Sequence, residues 1–294
     1  MIHKRDIFFY ISIVIFITLS IFKPIYLFPP ETLDTDKFHG QIYYVMNNPI
    51  SGLSVIHYFR YIVVWPFLHG EELFGPLINS IFVFLLLSYP VGIYAKKEKL
   101  LNFMYLMIFI IPFFVSLRTT LTLISMLYLY IGLMYNVKTL RFCVLSLFFG
   151  ILSSGVIFNI LLMLFYYYRH KVSLSKVFIV MPILMFLIYP SIENKLSFFQ
   201  TSSNNGFLLN IILRSNLVSS INDGDIIKFI IYIVILILSI ITLFSNSALT
   251  RFCAILAIIS VVFLEGLGGI SFLGILLLDI SRRFFFIENK KVRV

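Results

Sequence analysis

Charge is what this chain most lacks. Lys, Arg, Asp and Glu together make up 12 % of its 294 residues, about half their share in an ordinary soluble domain. A water-soluble fold of this length has no room to bury the apolar remainder. That excludes a soluble enzyme and a disordered chain. Cysteine is nearly absent as well. Cys143 and Cys253 both lie in apolar runs, without disulfide or metal spacing, which excludes a disulfide scaffold and leaves the redox compartment unread. Acids are scarcer than bases, 13 against 23, for a net charge of +10. In a membrane protein such an excess gathers on cytoplasmic loops, so it is not read as a sign of nucleic-acid binding.

What is abundant is apolar side chain in long runs: 60 % of the residues are hydrophobic and mean hydropathy is +1.01. A helix needs roughly 20 apolar residues to cross the hydrocarbon. Full spans are expected at 7–28, 74–95, 100–116, 119–135, 177–189 and 226–243. His3, Lys4 and Arg5 precede the first of these and no small-residue cleavage site follows, so it reads as an anchor with a cytoplasmic N-terminus and not as a signal peptide. Two runs, 142–168 and 252–278, are about seven residues too long for one straight span and too short for two. Each carries small residues near its middle: Ser153-Ser154-Gly155 in the first, Glu265-Gly266-Leu267-Gly268-Gly269 in the second. Each is either a re-entrant hairpin or one long tilted span.

The charges favour hairpins. With them, 16 of the 23 basic residues and four of the 13 acids face the cytoplasm. With single spans, Arg169, Lys171, Lys176 and Arg251 would face outward, against the positive-inside tendency. The expected fold is an all-α polytopic membrane helical bundle of six full spans and two re-entrant hairpins, about 8–10 membrane helices in all. It forms a single integral membrane domain, 1–294, with both termini in the cytoplasm. The two longer outer segments, 29–73 and 190–225, are too short for a nucleotide-binding domain and too long to be mere connectors. Chemistry is therefore sought on the outer face.

Several polar groups there call for a role. Arg118 stands between two spans with almost no loop, a place where a planar, permanently charged fork suits a diphosphate. Read structurally, it is an arginine snorkelling at a helix end. Arg214, in Leu213-Arg214-Ser215, is a second candidate for an anion clamp. Asp34 and Asp36, with His39 nearby, and His57 are candidates for a general base that takes a proton from an attacking hydroxyl. Residues 51–68 read as an amphipathic helix on the outer face, with Ser54, His57 and Tyr61 on one side and Arg60 beside them. Two carboxylates alone do not make a metal site, and no metal or other cofactor is expected. Glu265 is an intramembrane carboxylate and hence a functional candidate in its own right, and it favours a transporter.

The order of these features resembles the EpsG/Wzy-type polysaccharide polymerases, over roughly residues 30 to 175. That order is a first span, an acidic outer loop, an amphipathic helix, two spans joined tightly at an arginine, a basic turn, and a broken apolar run. The family's Arg-Gln at the start of a span is matched by Arg118-Thr119-Thr120-Leu121-Thr122, with Thr119 in place of Gln. The His often found at the following hairpin tip is missing from Leu152-Ser153-Ser154-Gly155. The resemblance implies a glycosyltransferase of the bacterial cytoplasmic (inner) membrane, acting on polyprenyl-diphosphate-linked oligosaccharide at the outer face. Arg118, Asp34, Asp36 and His57 would be catalytic; Arg214, Arg60, His39 and Glu265 would bind substrate. Membrane lipid, a chain-length regulator and a flippase are the expected partners. A transporter or lipid-linked-glycan flippase, and a membrane glycosyltransferase using a lipid-linked single sugar, are the alternatives.

Overall fold

The computed structural model describes residues 4–28, 37–48, 55–98, 103–169, 215–222, 226–263 and 267–291. All regular structure among them is helical. The chain divides into two compact units, Met1–Leu152 with Leu273–Val294, and Ser153–Phe272.

The first unit contains α1 (Lys4–Phe22), α2 (Lys37–Asn47), α3 (Val55–Phe74), α4 (Leu77–Glu98), α5 (Phe103–Ile110), α6 (Leu117–Tyr135) and α7 (Thr139–Gly150). Its centre is the antiparallel pair α6–α7, and α6 is buried along almost its whole length. The turn between them is made by Asn136 and Lys138, both in left-handed conformation at φ 52° and 45°. Two close approaches lock the pair. Ser125 Oγ donates to the Ser146 carbonyl at 2.7 Å. Gly132 lets Phe142 come so near that an added Cβ would lie 2.8 Å from the Phe142 Cβ. Small residues that admit a neighbour this closely are how helices pack in lipid, where apolar burial supplies little drive.

The ends of α4 and α6 meet at Glu98, which accepts a hydrogen bond from Tyr135 Oη at 2.7 Å. Glu98 also pairs with Arg282 Nε at 3.1 Å. Arg282 comes from the last helix of the chain (Leu273–Lys291), which packs on α5 and α6. Helices α4 and α6 therefore run in the same direction, from the Arg118 end of the unit to the Glu98 end. α1 packs against α4 and α5 through Phe16, whose ring is 5.2 Å from Phe84 and 6.3 Å from Phe109. A tight corner at Gly75, φ 78°, joins α3 to α4. Phe67 meets Phe82 across that corner with ring centroids 5.7 Å apart.

The second unit contains α8 (Ser154–Tyr168), α9 (Asn216–Asn222), α10 (Ile226–Thr242) and α11 (Ala248–Val262), and α12 is the Leu273–Lys291 helix that belongs to the first unit. Its interior is polar. Asn159 Nδ2 donates to Ser260 Oγ at 3.1 Å and to the Gly268 carbonyl at 3.3 Å. Asn216 Nδ2 donates to the Ser260 carbonyl at 3.0 Å, and Tyr232 Oη donates to Asn216 Oδ1 at 3.3 Å.

Both long apolar runs are interrupted where the small residues stand. The first breaks at 151–153, between α7 and α8. The second breaks between α11 and the 3-10 turn Ile270–Phe272 that leads into α12. Among the described residues two helices, α4 and α6, are long and apolar enough to cross a membrane, and five further helical stretches of 10–17 residues are apolar. The expected span at 100–116 is the short α5 followed by a 3-10 turn, Ile111–Phe113. The expected span at 177–189 lies outside the described residues. Val14, Ile17 and Ile21 of α1, and Ile230, Val234, Ile237 and Ile241 of α10, are exposed at helical spacing. Apolar stripes of this length on a surface call for a partner or for lipid.

Candidate functional site

The two arginines that matter most come together at the first helix break. Arg118 is the second residue of α6, whose start is fixed by Ser116: its Oγ accepts the Thr119 N–H at 3.2 Å. Thr120 and Thr122 turn their hydroxyls back onto helix carbonyls. This cluster of hydroxyls replaces a loop, so the Arg118 backbone is held rigidly. Its guanidinium donates from Nε and Nη2 to one acceptor, the Leu152 carbonyl, at 3.1 and 2.9 Å. One face of the guanidinium lies over the Phe38 ring, 4.3 Å from its centroid, a cation–π contact from α2.

Arg60 reaches the neighbouring carbonyl. Its Nε donates to Ile151 O at 3.2 Å, and its Nη1 donates to Gln41 Oε1 at 3.2 Å. Nη1 also lies 3.4 Å from His57 Nδ1, one helical turn earlier on α3. Arg60 is only 7 % exposed. No carboxylate among the described residues pairs with it. Burial, and then the charge of Arg118, pull its pKa down to about 10, so it stays protonated at neutral pH. Among the described residues its acceptors are neutral, whereas buried charges are normally paired.

The geometry also settles what His57 offers. A guanidinium has no lone pair to give, so Nδ1 is the acceptor in its contact with Arg60 and the ring proton sits on Nε2. Burial, followed by the charge of Arg60, holds the His57 pKa below its ordinary value. In this arrangement the ring is a neutral donor that turns an N–H to its surroundings; Nδ1 is not available as a base. His39 is placed against the segment that follows α1, its ring 4.5 Å from Phe28 and 6.4 Å from Tyr43.

Of the residues that the sequence singles out, Arg118, Arg60 and His57 converge here, with His39 on the adjoining α2. Asp34, Asp36, Arg214 and Glu265 lie outside the described residues. Among the described residues the arginine that Arg118 meets at this break is Arg60. Four participants carry no mark in the sequence reading: Gln41, Phe38 and the carbonyls of Ile151 and Leu152. A signal existed for α2, since Phe38, Ile42 and Val45 are buried at helical spacing and leave Gln41 beside them. Nothing local marks the carbonyls; they become acceptors because α7 ends there. Among the described residues, no group of His, Cys, Asp and Glu is arranged to hold a metal ion.

The described residues of the site therefore bring two guanidiniums together in a partly desolvated place. It stands at the first turn of α6, where the helix dipole adds to the positive potential. It suits an anion with several oxygens. No family model, curated protein or solved structure matches the chain.

Proposed function

We propose that this chain is a multi-pass membrane glycan polymerase of the bacterial inner membrane. It transfers a polyprenyl-diphosphate-linked oligosaccharide to a second lipid-linked repeat unit on the outer face. The observation that carries the reading is the convergence of Arg60 and Arg118 at the α7–α8 break, inside a chain whose composition suits lipid. The six spans, two hairpins and cytoplasmic termini expected from the charge pattern place this end of the first unit outside.

In the reaction an acceptor hydroxyl attacks the anomeric carbon of the donor. The bond from that carbon to the diphosphate oxygen breaks, the acceptor proton passes to a base, and lipid diphosphate leaves. Arg60 and Arg118 stabilise the charge that develops on the departing diphosphate, where preorganised donors act most strongly. The Nε2–H of His57 is a further donor for that charge. Asp34 and Asp36, which precede α2 in the sequence, are the carboxylates proposed as the base. No nucleotide is needed, because the diphosphate is the energised leaving group. A chain-length regulator and a flippase supplying repeat units would be partners.

A transporter or flippase is the second reading. It is favoured by the buried polar network of Asn159, Ser260, Asn216 and Tyr232 beside the second break, since polar groups inside a membrane bundle often mark a substrate path. One experiment separates the two. Purified protein is given a lipid-linked repeat unit without nucleotide, and product length is read on a gel. Elongation by the wild type, strong impairment in Arg118→Lys and near-abolition in Arg118→Ala are expected, because Lys keeps the charge but loses the fork. Near-normal chain length in both variants would remove the site from the mechanism.

A further inference from the structure

After α1 the chain of the first unit runs on through Lys23-Pro24-Ile25-Tyr26-Leu27-Phe28, and Ile25 and Leu27 are buried. Alternate backbone groups of this strap are fastened to the corner between α3 and α4. The Ile25 N–H donates to Ser80 Oγ at 3.3 Å, and the Leu27 N–H donates to Glu71 Oε2 at 3.1 Å. The strap leads to α2: the Phe28 ring is 6.1 Å from that of Phe38, the ring that Arg118 lies against. Glu71 stands in the last turn of α3, where its carbonyl accepts the Gly75 N–H at 2.9 Å. That is a poor place for a carboxylate, because the C-terminal end of a helix is itself negative. No cation among the described residues forms an ion pair with it.

Asn79, in the first turn of α4, is fully buried. Its Nδ2 donates to Glu71 Oε2 at 2.6 Å, while its Oδ1 is buried without a hydrogen-bond partner. A buried acceptor left unmet carries its full desolvation cost. Turning the amide round does not remove the need. The 2.6 Å contact would then join two oxygens, and only an acid proton could lie between them. We propose that Glu71 and Asn79 form a proton-binding site, in which Glu71 as the neutral acid accepts from the Asn79 amide through one oxygen and donates to its carbonyl through the other. The proton comes from solvent, and no covalent bond other than its own O–H is made. Closing this ring gives Oδ1 its donor and removes the unpaired charge. Burial holds the Glu71 pKa above its ordinary value against the opposing bonds from Leu27 and Asn79, and Glu72 adds to the rise. The other ionisable groups around the corner are engaged elsewhere or absent. Glu72 is paired with His69 at 2.8 Å, Lys23 lies over the Phe114 ring, and His39 packs on Phe28. Tyr26 is the titratable group within the strap, and α4 has no acidic or basic residue from Leu77 to Ala95. An acid whose folded pKa is raised contributes stability at low pH that is lost as pH rises through the folded value. As the proton leaves, the ring opens, the new charge is drawn toward water, and the Leu27 N–H loses its acceptor. Proton occupancy thus sets how firmly the strap is fastened.

The test uses full-length purified protein and the infrared difference spectrum between wild type and Glu71→Gln, followed from about pH 4 to about pH 9. Gln mimics the closed ring, since its carbonyl can accept from the Asn79 amide and its own amide can donate to Asn79 Oδ1. The difference should contain the C=O stretch of a protonated carboxyl that persists well above the ordinary glutamate pKa of about 4.3 and disappears at higher pH. Hydrogen exchange of the strap is read on the same samples, against an unfolded control at each pH. Protection of residues 23–28 should fall about fivefold across the transition in wild type, the usual worth of a hydrogen bond. It should hold at every pH in Glu71→Gln and be low at every pH in Glu71→Ala. Spectra in sodium and in choline salt should coincide. A difference spectrum that shows only ionised carboxylate from about pH 5 upward, or strap protection in wild type that is indifferent to pH, would overturn the proposal. So would a carboxyl band displaced by sodium, which would make the corner a metal-cation site. None of these readouts involves glycan transfer, so the site stands or falls independently of the function proposed above.

Discussion

Arg60 gives the sharpest way to tell an anion site from a structural cap. Burial and the neighbouring guanidinium of Arg118 bring its pKa to about 10. At roughly 1.4 kcal/mol for each tenfold loss of proton affinity, holding the charge here costs about 3 kcal/mol. The sign follows from linkage. A base whose folded pKa is depressed adds stability only above its unfolded value, and that stability is lost as pH falls through the folded one. At neutral pH the full cost is therefore present. Against it stand the bonds to the Ile151 carbonyl and to Gln41, each worth about 1.5–3 kcal/mol when the donor is charged. The two sides nearly cancel. Arg60→Gln should accordingly leave the melting midpoint of purified protein almost unchanged, within about 1.5 kcal/mol in stability terms. Elongation should fall about 100-fold or more, the usual consequence of deleting a donor aimed at developing negative charge. Arg60→Lys should fare no better in activity, because an ammonium is more strongly hydrated and lacks the fork. A large fall in melting midpoint accompanied by normal chain length would refute the reasoning and make Arg60 a cap for α7.

Other outcomes follow from single contacts. His57 is held below its ordinary pKa by burial and by Arg60, so its contribution to stability is present above about 6.5 and is lost as pH falls through the window beneath it. Melting curves from pH 7.5 to 5.5 should show this loss in the wild type and less of it in His57→Gln. Glu71 is raised, chiefly by burial, against the opposing bonds from Leu27 and Asn79. Its stability is present below the ordinary carboxylate value and lost as pH rises through the folded one. Glu71→Gln, which can still accept the Leu27 N–H and the Asn79 amide, should melt at pH 7 no lower than wild type, whereas Glu71→Ala should melt lower. Gly132→Ala drives a Cβ to 2.8 Å from that of Phe142; it should cost about 1–3 kcal/mol by overpacking, read as a lowered midpoint, and Gly132→Leu should abolish stable insertion.

Much of the architecture was legible because long apolar runs give a simple signal. Hydropathy found the helices at α1, α4, α6 and α10, and small residues marked both breaks. Span length was less legible. The stretch at 100–116 carries Pro112, which ends α5 early and turns the chain through Ile111–Phe113, so a run that is apolar throughout is not one continuous helix. The site was legible in its residue types and not in its partnership. Arg118 stood out because it had no loop around it. Arg60 sat in an amphipathic segment where exposure was the natural reading, and only the convergence of α2, α3 and the end of α7 buries it. Whether an arginine faces solvent or another arginine is a property of contacts between residues 91 apart, which no local pattern encodes.

The two helix breaks pose one physical problem and answer it differently. Ending a helix inside an apolar bundle leaves carbonyls without partners, and each must be satisfied from within the protein. At the second break, the Gly268 carbonyl is met by neutral donors, the Asn159 amide at 3.3 Å and the Ser271 hydroxyl at 2.7 Å. Both of those donors are uncharged. At the first, the Ile151 and Leu152 carbonyls are met by two guanidiniums, which repel each other and one of which is deeply buried. If satisfaction of carbonyls were the whole purpose, amides and hydroxyls would have served here as they do at the second break, at less cost. An anion with several oxygens is the ligand that two such forks would fit. This asymmetry is why the glycan-transfer reading is preferred to transport: the break that spends free energy on charge is the one expected to do chemistry on a diphosphate.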